Sequence, residues 1–187
     1  MISIADALSD EKLLGAAFGN PTTWSTWLAT LKAAFGEKLS RSDLRAFNSV
    51  AGSRKPPTHK VKELWAIVGR GGGKSRISAA IAVYIACFLK HELYPGETGY
   101  VLTLAGSRDQ AGRVFSYALA FIRKSPILRK LIASTTAHEI RLKNNVIIAV
   151  HSNSFRLIRG RTILACVFDE VAFWRDDDSA NPDHVVD

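Results

Sequence analysis

The spacing of apolar residues changes several times along the chain, dividing it into helical and extended stretches. From residue 4 to 51 it is helical. Ser9-Asp10-Glu11 starts or interrupts a first helix, which ends near Gly19-Asn20-Pro21. Thr22 or Thr23 can cap a second, striped by Trp24, Trp27, Leu28, Leu31 and Phe35. Ser40 or Ser42 can cap a third, through Leu44 and Phe47. The Trp/Leu/Phe stripe reads as packing surface rather than a ligand box. Residues 52–60, with paired prolines, form a linker, since proline excludes helix and weakens strand.

The pattern then changes character. Lys62–Val68 carries a short apolar run that reads as a buried parallel strand. Gly69–Ser75 is a glycine-rich turn, and Arg76–Leu89 is a long apolar helical stretch without Gly or Pro. Gly99–Ala105 is a second buried strand, bounded by Pro95-Gly96 and Gly106. Ser107 can cap the next helix, which has Val114, Ala118, Phe121 and Ile122 on one face, and Pro126 opens a short helix through Leu131. The β-α-β-α order favours a parallel sheet. Residues 139–142 and 146–150 flank Lys143-Asn144-Asn145 and predict an antiparallel hairpin, because asparagine tolerates the positive φ of a tight turn. A basic loop follows from Ser152 to Thr162, then a strand, Ile163–Phe168, that ends directly in Asp169-Glu170. Beyond Trp174 the chain is acidic and irregular. The resulting fold class is α/β: a mostly parallel sheet flanked by helices, with a helical lead-in over 1–51 and an inserted hairpin.

Bulk properties narrow the setting. The 187 residues allow one sizeable core, and the hydrophobic fraction of 47% is that of a globular protein. No segment has the uninterrupted apolar length of a membrane span, and the N-terminus lacks the pattern of a signal peptide, so a cytoplasmic protein with no membrane partner is expected. Cys87 and Cys166 lie in apolar runs and read as buried packing residues. The five histidines, His59, His91, His138, His151 and His184, lack metal-ligand spacing. A net charge of +8 points to a polyanion, nucleic acid first, against the plainer reading of a solvated basic face. The Arg156–Arg161 loop is the first candidate contact and the linker (Arg54, Lys55, His59, Lys60, with Lys62 beyond) the second.

Strand, glycine loop, Lys74-Ser75 and helix, in that order, make a phosphate-binding loop. Unpaired backbone N–H groups and the helix dipole at a helix N-terminus favour an anion. Gly69, Gly71, Gly72 and Gly73 let the backbone approach it closely. Lys74 is placed to neutralise the β- and γ-phosphates and Ser75 to coordinate Mg²⁺. The consensus is met imperfectly, since Val68 stands at its first glycine. The competing reading is a glycine turn that merely caps a helix. The apolar strand ending in Asp169-Glu170 supplies a partner motif, the Walker B element. Asp169 would reach the metal at the carboxyl end of the sheet, and Glu170 would polarise the attacking water. Arg70 adds a second cation in the loop and is a candidate arginine finger from the same chain, unless it simply faces solvent. The catalytic set is thus Glu170, Arg70 and Lys74, and the metal set Ser75 and Asp169.

Five motifs together resemble the large terminase subunit of tailed bacteriophages: Gly69–Ser75, Arg-Asp-Gln-Ala at 108–111, Arg-Gly-Arg-Thr at 159–162, Asp-Glu-Val-Ala-Phe-Trp at 169–174 and Ser-Ala-Asn-Pro-Asp at 179–183. The resemblance covers about residues 55–187. It implies a P-loop NTPase of the ASCE type, an ATPase using ATP and Mg²⁺ to drive double-stranded DNA into a procapsid. It also implies a homo-oligomeric ring on a portal protein, a small terminase subunit as partner, and an arginine at the position of Arg70. Family members carry a coupling motif on a strand after Walker B and then a nuclease domain. That strand normally inserts between the Walker A and Walker B strands. With the sequence ending at Asp187, the expectation is a C-terminally truncated ATPase core over 61–187, an incomplete sheet and doubtful turnover. A helicase-like translocase, or a nucleotide- or DNA-binding module without turnover, are the alternatives.

Overall fold

The computed structural model describes residues 2–105, 107–152, 160–171 and Trp174. Arg156, Arg159 and the 179–183 motif lie outside the described residues.

The helical lead-in consists of α1 (Ile4–Ser9), α2 (Gly15–Phe18), a 3-10 turn (Pro21–Trp24), α3 (Ser25–Ala34) and α4 (Arg41–Ala51). Ser3 caps α1, and the chain breaks at Asp10, so Ser9-Asp10-Glu11 interrupts rather than starts a helix. Neither Thr22 nor Thr23 caps α3, whose N-cap is Trp24 with no side-chain hydrogen bond; Asn20 caps the preceding 3-10 turn, its side chain accepting from the Thr22 N–H at 3.0 Å. At α4 the Ser40 hydroxyl accepts from the Asp43 N–H and the Asp43 carboxylate from the Ser40 N–H, a reciprocal capping box. This lead-in packs into the rest of the molecule: Ile4, Leu8, Leu14, Phe18 and Leu31 share one hydrophobic cluster with Ile77, Val83 and Phe121.

The sheet has five strands: β1 (Gly99–Ala105), β2 (Ile132–Thr135), β3 (Glu139–Leu142), β4 (Val146–Ser152) and β5 (Thr162–Asp169). Their spatial order is β2-β3-β4-β1-β5. β1 runs parallel to both β4 and β5, while β3 is antiparallel to β4 and to β2. The hairpin turns through Asn145 at φ +60°, as its asparagines predict. β2 escaped the sequence reading; four residues carry almost no periodic signal, and its pairing with β3 is what makes it a strand.

Two long helices, α5 (Lys74–Phe88) and α6 (Arg108–Lys124), pack together and against one face of the sheet, burying Val101, Ala105, Val146, Ile148 and Val150. Ser107 caps α6. Among the described residues no helix is long and apolar enough to cross a membrane.

One expected strand does not form. Leu64–Val68 belongs to no ladder, and Trp65 and Ile67 are 81% and 105% exposed. β5 is the outermost strand of the described sheet, with β1 its partner on one side. An apolar run becomes a strand only when a neighbour takes its N–H and C=O groups. Among the described residues Leu64–Val68, which leads into the glycine-rich loop, therefore stays outside the sheet.

Candidate functional site

The loop between Val68 and α5 turns tightly. Gly71 and Gly73 both sit at φ +80°, a region that side chains avoid, and the Gly72 N–H donates to the Gly69 carbonyl at 3.2 Å. Gly73 is the N-terminal cap of α5, so Lys74 and Ser75 occupy its first turn, where N–H groups have no helical partner. α5 begins here because a left-handed glycine ends the loop and the fifteen residues that follow contain no Gly or Pro.

The lead-in helps to shape this loop. The Trp27 indole N–H donates to the Gly72 carbonyl at 2.8 Å. The Trp24 ring lies against Gly73 so closely that a Cβ there would stand 2.5 Å from its Cζ3. Trp24 is itself held by Phe18, ring centroids 4.7 Å apart, and by the Arg76 guanidinium 5.3 Å from its centroid. Arg76 in turn donates to the Ala17 carbonyl. The tryptophan stripe packs, as its spacing suggests, but part of what it packs on is the phosphate loop. Nothing local in the sequence announces a contact over such a separation.

The second motif meets the first. β1 is sandwiched between β4 and β5, and its last residue, Ala105, is level with Asp169. That parallel register delivers Asp169 and Glu170 to the same end of the sheet as the start of α5. The Ser75 hydroxyl donates to Asp169 Oδ2 at 2.8 Å, and Asp169 is only 4% exposed. Trp174 closes the turn after β5, its indole N–H donating to the Asp169 carbonyl at 3.0 Å. Lys74 Nζ donates to the carbonyls of Val68 and Gly69, at 3.2 and 3.4 Å, and stands 3.9 Å from Glu170 Oε1. Glu170 has φ +54°, unusual for a residue with a side chain, and its Oε2 accepts from Gln110 Nε2 at 2.6 Å. Lys74, Ser75, Asp169 and Glu170 are thus gathered in one place. Arg70 is exposed at the tip of the loop and makes no ion pair among the described residues.

Among the described residues no group of three or more His, Cys, Asp or Glu side chains could hold a metal ion. The Ser75–Asp169 pair is a smaller donor set of two hard oxygens. It fits Mg²⁺, which takes one or two protein oxygens and fills the rest of its octahedron with water and phosphate.

A family model described as the terminase large subunit, ATPase domain, matches residues 45–182. The chain belongs to this family. Neither the curated proteins nor the solved structures provide a match. Membership makes this a nucleotide-using P-loop ATPase domain of a DNA-packaging motor, and the five-stranded sheet flanked by helices agrees with that fold. In this ATPase domain, the residue that sequence reasoning left without a role is Gln110. It lies in the Arg-Asp-Gln-Ala motif, whose match to the family was the available signal. Trp24 and Trp27 precede the matched region altogether.

Of the two candidate DNA-contacting regions, the described part of the basic loop is engaged internally. The Arg161 guanidinium lies 4.6 Å from the Tyr100 ring centroid and 3.4 Å from His151 Nε2. Burial, and then the Arg161 charge, pull His151 below the usual histidine range. In the linker, Arg54, Lys55 and Lys60 are exposed, and so is Lys62 beyond it.

Proposed function

We propose that this ATPase domain hydrolyses ATP with Mg²⁺ and couples the reaction to movement of double-stranded DNA into a procapsid. It would work in the host cytoplasm as one subunit of a ring on the portal, with a small terminase subunit as partner. The observation that carries the reading is the Ser75–Asp169 hydrogen bond, which joins the phosphate loop to the end of β5 across 94 residues. Glu170 follows Asp169 directly in the chain, and Lys74 Nζ stands 3.9 Å from its Oε1.

The division of labour follows from position. The N–H groups from Gly71 to Ser75 cradle the β- and γ-phosphates, and Lys74 neutralises their charge. Ser75 and Asp169 would hold Mg²⁺, which neutralises phosphate charge when bound. Glu170 accepts a hydrogen bond from the attacking water and takes its proton as the water oxygen bonds to the γ-phosphorus and ADP leaves. Arg70, on the exposed tip, can swing onto the γ-phosphate and offers a planar pair of donors. DNA phosphates are met by the exposed linker cations Arg54, Lys55 and Lys60, together with Lys62.

Nucleotide binding and phosphate release separate these roles. Lys74→Ala abolishes ATP binding, whereas Glu170→Ala retains binding and loses hydrolysis. Equal hydrolysis by wild type and Glu170→Ala rejects the catalytic assignment. DNA affinity falls steeply with salt and ignores sequence; an affinity unchanged from low to moderate salt rejects backbone contact. One observation favours a second reading, nucleotide binding without turnover: Leu64–Val68, which enters the phosphate loop, is outside the sheet. Tight ATP binding with no phosphate release, even with DNA and portal present, supports that reading.

A further inference from the structure

Glu170 has two carboxylate oxygens, and each has one cationic or amide neighbour. Oε1 faces Lys74 at 3.9 Å, and Oε2 accepts from Gln110 at 2.6 Å. A carboxylate only accepts, so the amide of Gln110 presents its NH₂ to it. The contact is built by the fold. Parallel register sets Ala105, the last residue of β1, beside Asp169, so the helix that follows β1 starts next to Glu170. Ser107 caps that helix and accepts from the Gln110 N–H at 3.3 Å, which anchors the Gln110 backbone in the first turn. Glu170 itself is held at φ +54°. A residue with a side chain keeps such a backbone only where its surroundings constrain it. The Gln110 amide on Glu170, the Ser75 hydroxyl on the Asp169 carboxylate and the Trp174 indole on the Asp169 carbonyl are among the contacts that hold this turn.

We infer that Gln110 is a positioning residue for Glu170: it holds Oε2 so that Oε1 points to the phosphate loop. The inference rests on Glu170 acting as the base. When Lys74 turns to the phosphates, Oε1 is released to accept from water, while Gln110 keeps the carboxylate from rotating away. Gln110 touches neither Ser75 nor the glycine loop through any hydrogen bond, so it acts on the orientation of Glu170 and not on nucleotide affinity.

Gln110→Met keeps the length of the side chain and removes the donor. In phosphate-release assays with double-stranded DNA, kcat falls about 10- to 100-fold, the effect of losing one hydrogen bond to a charged group at the reacting centre. KM for ATP stays within about twofold, because Gln110 makes no hydrogen bond to the glycine loop, and Tm falls only by the few degrees that one hydrogen bond carries. On a Glu170→Ala background the same substitution has no further effect on the residual rate. An unchanged kcat overturns the inference. So does a loss of kcat that tracks a loss of ATP affinity, one accompanied by a Tm loss well beyond that of one hydrogen bond, or one that recurs in full on the Glu170→Ala background. Failure of the underlying reading looks different: there, Glu170→Ala itself hydrolyses ATP as fast as the wild type.

Discussion

Gly73 meets two separate constraints, and Gly73→Ala tests both. Its φ of +80° is left-handed, which costs a residue with a Cβ about 1–2 kcal/mol. A Cβ there would also stand 2.5 Å from Trp24 Cζ3 and 2.9 Å from Cη2, well inside ordinary contact. The ring cannot simply withdraw, being packed on Phe18 and covered by Arg76. Overpacking of this kind adds about 1–3 kcal/mol. Gly71→Ala is the internal control: Gly71 has the same φ of +80° but nothing within 4 Å of its notional Cβ. For a chain of this size each kcal/mol lowers Tm by about 2–4 °C. Thermal unfolding should therefore show a loss of about 2–8 °C for Gly71→Ala and about 4–20 °C for Gly73→Ala, the second exceeding the first. On a Trp24→Leu background the two glycine substitutions should cost nearly the same. Equal losses in the parent protein would falsify the claim that the lead-in presses on the phosphate loop.

The remaining predictions concern the same frame. Trp27→Phe removes the donor to the Gly72 carbonyl and should lower stability by about 1 kcal/mol, with a matching weakening of ATP binding; titration calorimetry checks the second part. Thr103→Val replaces a buried hydroxyl that has no hydrogen-bond partner among the described residues, so it should raise Tm by about 2–4 °C. Burial pushes Asp43 up, but Lys32 and the Ser40 N–H and hydroxyl together bring it below the usual aspartate range. A carboxylate held low in the folded state stabilises it above about pH 3.9, and that stability is lost as pH falls through the lower folded value. Asp43→Asn should therefore be less stable than the parent at pH 6 and converge with it in strong acid, as denaturant titrations at the two pH values will show.

Local pattern was enough for much of the molecule. The caps at Ser40 and Ser107, the turn at Asn145, the strands β1 and β5 and the start of α5 all follow from residues within a few positions of one another. The glycine-rich loop and the Asp169-Glu170 pair stood out because particular residue types recur there at short spacing, and both lie inside the stretch that the family model matches. Other features depended on the folded chain. Leu64–Val68 has the composition of a strand, but a strand is a relation to a neighbour, and no ladder takes it up. β2 exists only through β3. Trp24 and Trp27 could be assigned to packing from their period, yet that they close on Gly72 and Gly73 is decided by where the 3-10 turn and α3 sit against the glycine-rich loop. Gln110 finds Glu170 because β1 and β5 are parallel and in register. Periodicity limits which face of an element is buried, whereas strand pairing and helix packing choose what that face meets.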